Sequence, residues 1–146
     1  MTVSADTQGT TPALTETQRQ RRGHAFYPSA TEAAAVPPLY ATDGVPFAEK
    51  VLALHYFGGP CDWWLTEYEP ATGIGFGYAC LGDTEAAEWG YVSLPEIEAL
   101  CMMRGLLVIE RDLNWTPVTV AQAKLPGRRA CPPEIVTGAD LDDDAE

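Results

Sequence analysis

Trp63-Trp64-Leu65-Thr66-Glu67-Tyr68 is followed, across Pro70-Ala71-Thr72-Gly73, by Ile74-Gly75-Phe76-Gly77-Tyr78-Ala79-Cys80-Leu81. Bulky aromatic and branched residues at every second position predict two strands, because successive strand side chains leave on opposite faces. In the first run Trp63, Leu65 and Glu67 are expected on one face, and Trp64, Thr66 and Tyr68 on the other. In the second, Ile74, Phe76, Tyr78 and Cys80 share a face, while Gly75, Gly77 and Ala79 leave the opposite face nearly bare. A bare face accepts a closely packed neighbour or serves as a ligand floor.

Working outward, residues 51–57 form a continuous apolar run containing His55, closed by the breaker Gly58-Gly59-Pro60. Residues 89–92 predict a short fourth strand. Ser93-Leu94-Pro95-Glu96 then reads as a helix start: serine at the N-cap, proline in the first turn where its missing N–H costs nothing, and glutamate at the third position. The helix is predicted over 94–103, burying Ile97, Leu100 and Cys101 and stopping at Gly105. Residues 115–120 predict a last strand, kept at an edge by Pro117. Every connection is short, so neighbours in sequence should pair. The predicted class is α+β: an antiparallel meander sheet of about four or five strands with one main helix packed on a face.

Three segments are expected. Residues 1–36 read as a largely flexible amino-terminal segment with short helices, one over 14–22 and one over 32–36 with Thr31 as its N-cap. Residues 37–125 read as a single globular domain, and 126–146 as an acidic disordered tail. The 146 residues carry a formal net charge of −12. Residues 37–125 hold twelve acids against four basic residues, so the domain itself is acidic. Such a field disfavours direct nucleic-acid binding unless Arg19, Arg21, Arg22, Arg128 and Arg129 converge. Cys61, Cys80, Cys101 and Cys131 form no metal-binding or disulfide pattern. The amino terminus lacks a basic start and an apolar stretch, and no apolar run approaches membrane-spanning length, so a reducing cytoplasm with free thiols is expected.

No catalytic residue, metal site or cofactor motif is read from the chain. His55 stands alone in an apolar strand, Ser93 is engaged as a cap, and Gly73-x-Gly75-x-Gly77 has the wrong spacing for a dinucleotide loop. The carboxylates Glu67, Glu69, Glu88, Glu110 and Asp112 are the only group that could gather around a divalent ion or act as an acid/base pair. Aromatic residues are the other signal. Together Trp63, Trp64, Glu67, Tyr68, Glu88, Trp89, Glu110 and Asp112 are the candidate interaction surface, since an exposed aromatic on an acidic sheet is a typical anchor for a protein partner.

Pro37-Pro38-Leu39-Tyr40-Ala41-Thr42-Asp43, the 63–69 run, Glu88-Trp89-Gly90-Tyr91-Val92-Ser93-Leu94-Pro95-Glu96-Ile97-Glu98 and Glu110-Arg111-Asp112-Leu113-Asn114-Trp115 occur in this order. These blocks resemble the family known as domain of unknown function 2958, small proteins of plasmids, phages and conjugative elements. The pattern departs from that family at Gly58-Gly59-Pro60-Cys61 and Cys101-Met102-Met103-Arg104. The resemblance implies a mobile-element setting without an activity. The leading expectation is a non-enzymatic accessory protein acting on a host or plasmid factor through a protein surface. Its partner should be basic, and mimicry of nucleic acid against a host defence enzyme is the narrower form. The alternative is a small divalent-metal-dependent hydrolase or nuclease using the clustered carboxylates.

Overall fold

The structure, a computed structural model, describes residues 14–132. The expectations for residues 1–13 and 133–146 lie outside the described residues. In chain order the elements are α1 (Arg19–Arg22), α2 (Ala30–Ala34), β1 (Val51–Leu52), β2 (Leu54–Gly58), β3 (Cys61–Glu69), β4 (Ile74–Leu81) and β5 (Glu88–Ser93). They continue with α3 (Leu94–Glu98), β6 (Cys101–Met102), β7 (Leu107–Val108), β8 (Glu110–Arg111), β9 (Val118–Thr119) and α4 (Val120–Ala123).

The class is mixed α+β, built on a five-stranded antiparallel sheet in the order β5-β4-β3-β2-β8. Its first four strands are the predicted meander. A two-residue turn joins β2 to β3: Gly58 faces Cys61, and Gly59 takes a φ of +56° that Pro60 could not supply. That turn fixes the hairpin register, pairing His55 with Trp64 and Tyr56 with Trp63. The fifth strand comes from the Glu110-Arg111 segment, which pairs with Tyr56 and Phe57. The apolar run at 51–57 is divided at Ala53. Its first part, β1, leaves the main sheet to pair with β9, so the strand expected from 115–120 lies beside Val51 and Leu52.

Alternation along β3 is interrupted. Leu65 faces Gly77 and Glu67 faces Phe76, so Thr66 is an extra residue, a β-bulge. The slip reverses the phase beyond it: Tyr68 joins Trp63 and Leu65 in one core cluster, and Glu67 leaves the face expected for it. The bare face of β4 is filled by this irregularity. A Cβ on Gly77 would meet the Trp64 carbonyl oxygen and the Leu65 backbone, and one on Gly75 would meet the Leu65 side chain. The close neighbour is the protein's own bulged strand.

Both faces of the sheet are covered. One core gathers Phe26, Leu54, Tyr56, Trp63, Leu65, Tyr68, Leu94 and Ile109, and the other gathers Leu52, Trp64, Tyr78, Cys80 and Val120. Trp63 and Trp64 are therefore both buried, on opposite sides. Fully burying a side chain of this size contributes about 1.5–3 kcal/mol, so two faces give a chain of this length an ample core. The first core draws on residues before position 37: Phe26 is fully buried, and its carbonyl accepts from the Tyr56 hydroxyl at 2.8 Å. Ala33 and Val36 join it, and Ala130 joins the second.

The anchor of that early segment is polar. Arg22 and Glu98 form an ion pair at 3.1 Å, with the Arg22 side chain 0% and the Glu98 side chain 1% exposed. Glu98 also accepts from the backbone N–H groups of Thr17 and Gln18 and from the Thr17 hydroxyl. Arg22 donates further to the carbonyls of Ile109 and Glu98 and lies over the Phe26 ring. Nearly every donor and acceptor of the buried pair is thus engaged, the condition under which such a pair is tolerated.

The helices are short, with α2 and α3 the longest among the described residues at five residues each. Ser29, not Thr31, caps the early helix, in a complete capping box with Glu32. Ser93 caps α3 as predicted, accepting from the Glu96 N–H at 3.3 Å. That helix ends at Glu98 instead of continuing to 103, because Cys101 and Met102 turn into a ladder with Leu107 and Val108. The intervening tip places Met103, Arg104 and Gly105 at positive φ, incompatible with helix. Ile97 is buried as expected, while Leu100 and Cys101 are exposed. Replacing Ser93 with Ala should cost about 1 kcal/mol in urea unfolding; a change within about 0.3 kcal/mol would show that packing of Leu94 and Ile97 alone holds the helix.

Candidate functional site

Glu67 is buried, and its carboxylate is wholly occupied with shaping a turn. One oxygen accepts from the Tyr40 N–H at 2.8 Å, and the other from the Thr42 N–H at 3.0 Å and from the Thr42 hydroxyl. Lys50, also buried, donates to the Thr42 hydroxyl and carbonyl from the other side. The turn so held puts Tyr40 at a φ of +74°, a left-handed conformation costly for a bulky residue. The residue is left 62% exposed.

The Tyr40 ring belongs to an aromatic strip. Tyr40 contacts Tyr91 edge-on at 6.2 Å, Tyr91 contacts Phe76 at 5.3 Å, Phe76 stacks on Trp89 at 5.9 Å, and Trp89 meets Phe47 at 4.9 Å. Cross-strand pairing explains the row, since Phe76 faces Tyr91 and Tyr78 faces Trp89. The inner end is closed: Trp89 donates its indole N–H to the Ala130 carbonyl at 2.9 Å. The outer end is open, with Tyr91 59% exposed on β5, the terminal strand of the sheet. Gly90 beside it has nothing within 4 Å of where a Cβ would stand.

The other candidates do not gather into one site. Trp63 and Tyr68 are interior, and burial pushes the Tyr68 hydroxyl up to about 12, far from acid/base use near neutrality. Glu88 is exposed at the start of β5. Glu110 approaches the His24 ring at 3.4 Å. Among the described residues, no group of three or more His, Cys, Asp or Glu side chains is placed to hold a metal ion. Cys61 and Cys80 offer no nucleophile signal: they point into opposite cores, and burial raises the Cys61 thiol above its ordinary value. The arginines do not make a basic patch, since Arg22 is buried on Glu98 and Arg128 is paired with Glu85 at 3.1 Å.

A second constellation surrounds His55. Its Nδ1 lies 2.8 Å from Asp112 and its Nε2 2.8 Å from Asp62. The ring stacks on Trp64 at 5.2 Å and touches Phe57 and Trp115. With a carboxylate oxygen 2.8 Å from each ring nitrogen, neither nitrogen is open to a ligand, so the group works as a clamp. It ties the β2–β3 hairpin to the turn at Asp112, whose own N–H donates to the His55 carbonyl at 2.9 Å. Neither the lone His55 nor Asp62 carries a motif in the linear sequence. The available signal was the Gly59-Pro60 turn: a two-residue loop pairs His55 with Trp64 and brings Asp62 diagonally beside it.

The family described as Protein of unknown function (DUF2958) matches residues 30–123, well over half of the chain. The chain belongs to that family. No curated protein and no solved structure gives a significant match. The family segment contains both constellations, from Tyr40 and Glu67 to Tyr91 and from His55 to Asp112. Arg22 and Phe26, which close the first core, lie before it.

Proposed function

We propose that this protein is a non-enzymatic interaction module, an accessory factor of a mobile genetic element that binds a basic host or plasmid protein. The carrying observation is Tyr40, held exposed in a left-handed conformation by the buried carboxylate of Glu67, next to exposed Tyr91 on the terminal strand. Outlying backbone geometry that buried bonds enforce points to a functional reason for the exposed side chain. Paired tyrosines supply large, rigid contact area, and an unpaired strand edge offers backbone bonds to an extended segment. The partner is taken as basic because the family domain is acidic throughout and Glu88 opens the edge strand. The mobile-element setting rests on the family resemblance. For the metal-dependent alternative no specific observation speaks.

The test is affinity capture from the native host, with Tyr40→Ala and Tyr91→Ala run beside the wild type and binding of the identified partner then titrated. Each tyrosine is more than half exposed, so neither substitution should disturb the fold. Each should weaken binding by about 2 kcal/mol, roughly thirtyfold, and amide exchange along β5 should slow in the complex. A partner bound equally well by both variants would rule this surface out.

A further inference from the structure

A cleft of about 510 Å³ opens beside His55. Trp64, Asn114, Trp115, Thr116 and Lys124 line it with His55, and the rest of its wall is apolar. The size falls within the range of small-molecule sites. Among the described residues, no aspartate or glutamate lines it. The carboxylates of Asp62 and Asp112 are turned on to the His55 nitrogens.

Two features show preorganisation. Trp115 donates its indole N–H to the Leu52 carbonyl at 2.9 Å, which fixes its ring against the cleft. Lys124 stands just past α4 at φ +52° and ψ +59°, the left-handed capping position that glycine normally fills. No carboxylate pairs with Lys124 among the described residues. A strained lysine with no ion-pair partner among the described residues, in the wall of an aromatic cleft, is better accounted for by its charge than by the fold.

We infer that this cleft binds a small planar aromatic anion, with its ring on Trp115, its acidic group on Lys124, and Asn114 and Thr116 as hydrogen-bond partners. A nucleoside monophosphate and an aromatic carboxylate share that chemistry. This site is separate from the tyrosine surface proposed above and stands or falls independently.

The experiment follows the Trp64 and Trp115 indole N–H resonances of the full chain during titration with adenosine 5′-monophosphate, adenosine, inorganic phosphate and benzoate. At least one aromatic anion should bind with a submillimolar dissociation constant, and phosphate and adenosine at least about tenfold more weakly, since each lacks half of the recognition. Which anion binds assigns the source. Lys124→Met and Lys124→Gly should each lose about tenfold in affinity, while Lys124→Gly melts at a higher temperature because the left-handed strain is relieved. The inference is overturned if neither anion shifts a resonance at about 10 mM, if adenosine binds as tightly as its monophosphate, if Lys124→Met binds like the wild type, or if Lys124→Gly lowers the melting temperature.

Discussion

Glu98→Ala should lose about 3 kcal/mol of stability, because it removes the fully buried partner of the Arg22 guanidinium and leaves it only the more exposed Glu16, at 3.1 Å, as a counter-charge. It also strands the N–H groups of Thr17 and Gln18. Against a typical total of about 5–15 kcal/mol, that is a substantial fraction. Urea unfolding measures it. Arg22→Met paired with Glu98→Met is expected to cost much less than the two single changes combined, since neither charge is then left alone. Strict additivity would mean that the pair contributes nothing as a pair.

The same carboxylate sets a pH signature. Burial pushes the Glu98 carboxyl up, but the Thr17 and Gln18 N–H groups, the Arg22 guanidinium and the Thr17 hydroxyl outweigh it and hold it below the ordinary 4.5. Glu32, hydrogen-bonded by Arg111 and by its capping box with Ser29, is lowered to about 2. Both folded values are depressed, so the unfolded chain binds more protons as acid is added. The stabilisation is complete above about pH 4.5 and is lost as the pH falls toward each folded value. Glu98→Gln should flatten the fall in stability below pH 4.5 relative to the wild type. An unchanged slope would show that Glu98 does not contribute to it.

Gly77→Ala should cost about 3 kcal/mol or more, at the upper end for overpacking. The added methyl falls on the Trp64 carbonyl and the Leu65 backbone, atoms that move only if the bulge at Thr66 opens. Gly90→Ala is the control: nothing lies within 4 Å of its Cβ position, and its change should stay within about 0.5 kcal/mol. Equal effects at the two glycines would mean that the bulge relaxes in solution and that the tight approach seen across β3 and β4 is not maintained.

These positions separate what was legible in the chain from what was not. The four meander strands and the Ser93 cap depend on neighbours within a few residues: period-two alternation, turn residues, and a side chain reaching its own helix start. The bulge at Thr66 depends on which residues of β4 lie opposite, so strict alternation misassigned Glu67 and Tyr68 beyond it. Arg22 reads as one of three solvated arginines until Glu98, 76 positions away, is brought to it. An amphipathic pattern would have announced apolar docking, whereas a segment held by a buried ion pair carries no periodic signal.

The candidate site divides in the same way. By itself the sequence determined an acidic α+β chain of this family, with aromatic residues along its strands and a tight Gly59-Pro60 turn, because local geometry and composition suffice for those properties. The tertiary structure alone decided that Trp63 and Trp64 are interior, that Glu67 spends its carboxylate on the Tyr40 turn, and that His55 stands between Asp62 and Asp112. It also placed Lys124 in the wall of one cleft with Trp115. Most of these rest on contacts between residues far apart in the chain, and which side chains of a two-sided sheet stay exposed is settled only when both faces have been packed.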